Sequence, residues 1–351
     1  MRIRIFMFAV ALLFSTVSVR AREHSDTIWM TNGDRFTGEI KGSGAGILYV
    51  DLDYVDGTIS IQWSKVARVE SRQRFIVKTQ EGGVYGGTIR SLESSVRAPM
   101  QLEVRQSPDN KVILPAIRIV KVDQTSESFW RRLSGAINFG TTYSKGNQSI
   151  QYNLSSEAEY LRDRWKAEAN YSSILSSSTG VEASTRNDVS LGALHLLPRS
   201  NYFYTGLATF LQSSEQGIKL QTNLGAGLGR YLKNTSNVSI SVAAGMAWQS
   251  TQYNQSAPVN SQNVAAAMIA TELKANAFKK TNLILNANVF PAVSDTGRVF
   301  FNTNATYYVK IIGNLSWNAS FYGNWDNKPP GKFSGSDYGS SSGVTWTFGN
   351  R

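Results

Sequence analysis

The chain has 351 residues, a mean hydropathy slightly below zero and no cysteine, so neither disulfides nor thiolate metal sites can contribute. No run of about 18 apolar residues occurs outside the N-terminus, which excludes a helical membrane protein. The formal charge of +11 does not describe a nucleic-acid surface, because Lys and Arg alternate with acids and form no basic block.

Residues 1–21 read as a cleaved signal peptide. Arg2 and Arg4 form its basic start, residues 5–14 its apolar core, and Val19 and Ala21 stand at the −3 and −1 positions of a cleavage point. An apolar stretch this short cannot span a bilayer. The expectation is export into a Gram-negative envelope.

Residues 22–125 read as a small all-β domain in the periplasm, built from one pattern used twice, over about 26–71 and 75–124. Each copy opens on a glycine-containing turn (Asn32-Gly33-Asp34 and Glu81-Gly82-Gly83) and continues as short Val-, Ile- and Tyr-rich strands. Thr31 is paired with Thr79, Ile40 with Ile89, and Val66 and Val69 with Ile119 and Val122. Units of this size bury their apolar face by curling or by pairing, which predicts one or two small SH3-like or Sm-like barrels.

A charged and aromatic linker (126–133) leads to a different texture over 134–351. Charges become sparse, and Asn, Ser, Thr, Gly and aromatics alternate with apolar residues. Twelve strands are predicted, near 134–143, 149–161, 164–175, 186–197, 201–212, 218–231, 237–249, 263–277, 282–290, 299–311, 314–325 and 338–348. Alternation alone does not separate a soluble sandwich from a porin-like barrel; loop length does. Connectors after even-numbered strands are short (162–163, 198–200, 233–236, 279–281, 312–313), and those after odd-numbered strands are mostly longer (176–185, 250–262, 291–297, 326–337). Short periplasmic turns alternating with long external loops are the pattern of an up-and-down outer-membrane barrel. Aromatics such as Tyr160, Trp165, Tyr202 and Tyr204 gather at strand ends, as interfacial girdles do. The last strand carries Gly343, Trp346 and Phe348, which look like the signal read by the barrel-assembly machinery, although Gly349, Asn350 and Arg351 follow the final aromatic.

The order of signal peptide, module and Ser/Asn-rich barrel resembles the salt-induced outer-membrane proteins, a family of unassigned function (domain of unknown function 481). The residues that carry the resemblance are Gly33, Asp34, Gly38 and Ile40, then Ile61, Trp63, Val66 and Val69. It implies outer-membrane location and an all-β fold, an approximately 12-stranded antiparallel barrel behind a small β domain, and it brings no catalytic residues.

Chemistry is thinly supported. Acyl hydrolysis needs a histidine to take the nucleophile's proton, and the chain has two. His24 follows the signal, and His195 shares a face with Val189, Leu191 and Ala193. Glu157 and Glu168 are the best carboxylate pair for glycosidase chemistry, without a motif behind them. No catalytic, cofactor or metal site is assigned. Three readings stay open: a non-enzymatic barrel, structural or a narrow channel; an envelope adaptor whose residues 22–125 hold a periplasmic protein or cell-wall partner; and an outer-membrane hydrolase. For a channel, the candidate lumen charges are Glu157, Glu159, Lys166, Glu168, Glu272 and Lys274. A tight hairpin at Arg162-Asp163 would set Tyr160 opposite Trp165, Glu159 opposite Lys166 and Glu157 opposite Glu168. That gives a constriction favouring cations or a salt-bridged closure.

Overall fold

The computed structural model describes residues 26–348 apart from 45, 56, 93–99, 126–128, 145–148, 163, 179, 199, 255–259, 279–280 and 330–333. The signal peptide, His24, Asp163 and the last three residues lie outside the described residues.

The first part holds nine strands: β1 (Asp26–Met30), β2 (Arg35–Gly44), β3 (Ile47–Asp51), β4 (Thr58–Gln62), β5 (Val66–Thr79), β6 (Val84–Ser91), β7 (Gln101–Ser107), β8 (Asn110–Pro115) and β9 (Ile119–Gln124). They form one sheet in the order β4-β3-β2-β1-β5-β6-β7-β8, with β9 bonded to both β2 and β5. The duplication is plain in the structure. A single 3-10 turn (Trp63–Lys65, Ala116–Arg118) precedes β5 and then β9. The opening turns are closed alike, Met30 N–H on the Asp34 carbonyl (2.8 Å) and Thr79 N–H on the Gly83 carbonyl (2.9 Å). Met30 therefore corresponds to Thr79 and Gly33 to Gly82, which corrects the expected Thr31–Thr79 pairing by one residue.

The copies are not separate barrels. β5 runs through the expected boundary, its first half pairing with β1 and its second with β6 and β9. In turn β9 reaches β2 of the first copy at Gly42 and Ser43. Ile28, Ile40 and Val69 from one copy and Phe75, Ile89 and Leu102 from the other share a single core, each at most 2% exposed. Five short strands expose too little apolar surface to stabilise a unit this small alone, so the two halves merge. Fully buried Asp26 fastens the first strand: it accepts from Ile40 N–H (2.8 Å), the Ser71 hydroxyl (2.5 Å) and the Gln73 amide (3.2 Å). With its acceptor sites filled, that carboxylate escapes the penalty of an unpaired buried charge.

After a 3-10 turn at Phe129–Arg132 come β10 (Leu133–Ser144), β11 (Ser149–Leu161), β12 (Trp165–Ser178), β13 (Val181–Leu196), β14 (Tyr202–Ser213), β15 (Ile218–Asn234), β16 (Val238–Tyr253), β17 (Ser261–Phe278), β18 (Thr281–Pro291), β19 (Val299–Ile312), β20 (Leu315–Asp326) and β21 (Ser336–Phe348). They close into a twelve-stranded antiparallel barrel. β10 and β21 zip it shut from Gly135 opposite Phe348 to Gly140 opposite Gly343. A Cβ on Gly343 would stand 2.2 Å from the Phe139 carbonyl oxygen, so this seam requires glycine there. Trp346 and Phe348 lie against each other at its foot, ring centroids 5.9 Å apart.

Two boundaries differ from expectation. The long loop at 176–185 is largely strand, since β12 extends to Ser178 and β13 begins at Val181. The segment 250–262 shrinks likewise between Tyr253 and Ser261. Beyond the membrane belt both faces of a strand meet water, so alternation vanishes while the ladder continues.

Candidate functional site

Strand register decides what faces the lumen. Leu228, Met246, Trp248 and Trp317 are 56, 58, 44 and 40% exposed on the outer surface. Many of the alternate positions point inward and are polar: Asn138 donates to Ser155 (3.0 Å), Asn223 to Thr209 (2.9 Å) and Asn288 to Asn302 (3.1 Å), while Ala247, Met268, Phe290 and Phe300 point inward as an apolar cluster. Asn153 reaches past Gly140 to Ser341 on a strand two places away (2.7 Å). An apolar belt outside and hydrogen-bonded amides inside make this an outer-membrane type of barrel. The inside holds a cavity of about 490 Å³, bordered by Arg186, Ser341 and Asn324 towards the long loops and by Glu157, Lys166 and Lys274 towards the short turns.

At the short-turn end, Lys166 binds Glu159 (3.4 Å) and, more closely, Glu168. Lys274 binds Glu272 (3.0 Å). The β11–β12 register is shifted by two from the expected one. Arg162 N–H bonds to the Trp165 carbonyl (2.8 Å), so the pairing runs on to Arg162 and Trp165 and the turn sits one residue further along than expected. Tyr160 therefore opposes Ala167, Glu157 opposes Asn170, and Glu159 opposes Glu168. A shift of two keeps each side chain on its face and changes only its partner. The face-to-face carboxylates are thus Glu159 and Glu168, and the cation between them is the chain's own Lys166.

The other end carries two clasps that sequence reasoning missed. Arg186 on β13 crosses the lumen to Asp337 on β21; Asp337 also accepts from Ser213 (3.2 Å), and the guanidinium lies 4.9 Å from the Tyr322 ring. Arg298, 2% exposed, holds Asp326 through two hydrogen bonds (3.1 and 2.6 Å) and Asp295 at 3.6 Å. Fork-to-carboxylate pairs of this kind fix geometry as well as charge. The available signal was charge at inward parity in a stretch where charges are sparse.

The first sheet meets the barrel at the short-turn end. Asn201 donates to the Gln80 carbonyl (3.1 Å), and Gly82 (φ +79°) lies so close that a Cβ would be 2.0 Å from the Ser200 carbonyl oxygen. A Cβ on Gly46 would be 3.3 Å from the Asn237 side chain. Lys78 and Lys121 are paired across β5 and β9, with Asp123 2.8 Å from Lys121 and 4.0 Å from Lys78. Burial pulls the Lys78 ammonium down to about 8, against the pull of Asp123 and of Glu159 in the barrel. Burial alone would lower Lys121 too, but Asp123 and Glu159 outweigh it and hold it above the usual range.

His195 turns outward. It stands opposite Trp165 and Tyr204, both more than half exposed, with its ring 4.4 Å from that of Trp165. That places it at the girdle and away from the lumen.

No curated protein matches the chain. Among solved structures it is similar to the translocator domain of the autotransporter NalP from Neisseria meningitidis (13% identity, 62% of this chain and 87% of that one, TM-score 0.33). It is also similar to the NanC porin (10%, 61% and 99%, TM-score 0.38) and to an outer-membrane channel from Pseudomonas putida F1 (11%, 62% and 94%, TM-score 0.35). At these scores the likeness says nothing about activity. The family described as "protein of unknown function, DUF481" matches residues 137–348, β10 to the end of β21 and more than half of the chain. The chain belongs to the DUF481 family.

Proposed function

We propose that this protein is a non-enzymatic outer-membrane barrel acting as a narrow channel for small hydrophilic solutes, held shut at rest. The short turns and the first domain face the periplasm, after export by a cleaved signal peptide and insertion by the barrel-assembly machinery. The observation that carries the reading is the cavity between the two ends of the lumen, lined by polar and apolar side chains together. A barrel serving only as an anchor can fill its inside with packed side chains. Here an apolar cluster around Met268 and Phe290 fills part of the inside, amides and hydroxyls line the remaining space, which is large enough for water, and Arg186–Asp337 crosses it like a bolt.

The six lumen charges at the periplasmic end act mainly on one another. Lys166 offsets Glu159 and Glu168, and Lys274 offsets Glu272. With Lys78, Lys121 and Asp123 above them, the charge at that mouth is nearly balanced, so selectivity between cations and anions is weak. The adaptor and hydrolase readings lack a comparable observation, since His195 faces the girdle and not the lumen cavity.

The test is conductance of the purified full-length protein in planar bilayers, beside the double variant Arg186→Ser/Asp337→Ser. The expected result is rare small openings in the parent, more frequent openings in the variant, and a reversal potential near zero in a salt gradient. Silence in both proteins, and in the same pair carrying Gly82→Gln to push the first domain off Ser200, would reject the channel and leave a structural barrel.

A further inference from the structure

We infer that the duplicated N-terminal domain is the barrel's resident plug, seated across the periplasmic mouth by its β5–β6 and β2–β3 turns with the Lys78–Lys121–Asp123 face over the lumen. The seat is specific. The β5–β6 turn meets the β13–β14 turn backbone to backbone at Gly82 and Ser200, with the Asn201–Gln80 hydrogen bond beside it. Asn201 is itself fixed, its carbonyl accepting Tyr231 N–H (2.8 Å) and its side chain accepting from Asn234 (3.3 Å). The β2–β3 turn lies beside the next short turn, where a Cβ on Gly46 would stand 3.3 Å from the Asn237 side chain. Contacts at two neighbouring turns fix an orientation that a flexible tether would leave free.

The charges tell the same story. Lys78 keeps 20% of its side-chain surface and Lys121 40%, yet burial acts strongly on both, and the barrel's Glu159 and Lys166 act on both. Lysines that feel the barrel's Glu159 and Lys166 lie close to the short-turn end of the barrel. Glu159 and Lys166 stand paired at the mouth of the lumen, so the Lys78–Lys121 face is turned towards it.

Duplication supplies an internal control. Gly33 occupies the same place in the first copy's turn, also at positive φ (+93°), and a Cβ there would touch nothing within 4 Å. A side chain at either glycine meets the same backbone strain; only at Gly82 does it also strike the barrel. The seating stands on these contacts alone, whereas its effect on solutes rests on the channel reading.

The native chain has no cysteine, so Gln80→Cys/Ser200→Cys can be joined by a short bismaleimide in the full-length protein. The inference expects efficient joining, a several-fold loss of yield on adding Gly82→Gln, and an unchanged yield on adding Gly33→Gln. Conductance is measured on the same glycine variants without the cysteines, and Gly82→Gln alone is expected to raise it. No joining in the parent, or equal losses from both glycine variants, would overturn the plug whatever the conductance. Joining that depends on Gly82 in proteins that never conduct would uphold the plug and reject the channel.

Discussion

The two halves of the molecule use the same alternation and turn it inside out. In the first sheet, Ile28, Ile40, Val50 and Val69 are fully buried, while the charged side chains Arg68 and Glu70 lie outside. In the barrel, Leu224, Leu228 and Met246 are 45 to 58% exposed, and Asn223 is buried. Period two reports that a strand has two faces; the solvent decides which face is inside. What separates the halves in sequence is the other face. Charged partners mark a surface in water, whereas Gly, Ser, Thr and Asn mark a lumen.

Truncating an aromatic in each half should break the symmetry most visibly. Phe75→Ala empties a fully buried site and should cost about 3–5 kcal/mol of domain stability. Phe321→Ala, on a lipid-facing side chain 43% exposed, should cost less than about 1 kcal/mol, because lipid tails refill the space. Urea-dependent protease resistance of each half in the full chain reads both, and equal losses would mean that Phe321 is in a water-excluded core.

Charge sharpens the contrast. Met246→Arg, near the middle of β16 and facing out, should destabilise the barrel by about 2–4 kcal/mol in bilayers. The same substitution on the outer surface of the first sheet, Ile113→Arg (48% exposed), should be close to neutral. Refolding titrations into vesicles check this, and a neutral Met246→Arg would place that face in water.

The smallest effect sits where the halves meet. Lys78 is faced by Asp123 and Lys121 on its own sheet and by Glu159 and Lys166 of the barrel. Its folded value of about 8 lies below the ordinary lysine range, so the native state releases the proton first. The resulting destabilisation is full below pH 8 and fades as pH rises towards the unfolded value of about 10.4. Lys78→Met should therefore stabilise the protein at pH 7 by about 1 kcal/mol and lose that advantage near pH 10. A penalty at pH 7 would show the ammonium to be well paired.

Much of this was legible in the chain, for stated reasons. Twelve strands emerged because lipid on one side and lumen on the other imprint alternation over the whole span. The duplication emerged because the two glycine-containing turns repeat and Ile40, Val66 and Val69 recur as Ile89, Ile119 and Val122. Whether the copies stay apart or merge stayed open, since sharing β5 leaves no mark on either half alone. The Glu159–Glu168 pairing was missed because the ladder runs on to Arg162 and Trp165, which slides a two-residue turn one position along the chain and so shifts the register by two. The clasps at Arg186 and Arg298 join residues 151 and 28 positions apart, and no local pattern encodes such a partner. The seat of the first domain was equally hidden, because Gly82 looks like any turn glycine until Ser200 is beside it.

The decisive experiment is electrophoresis of the mature protein from fractionated cells, unheated and boiled. A closed barrel resists detergent until heated, so the protein should be recovered with the outer membrane and run faster unheated than boiled. Recovery in the soluble periplasm, with one mobility under both conditions, would contradict a membrane barrel and return the apolar faces of β10–β21 to a soluble core.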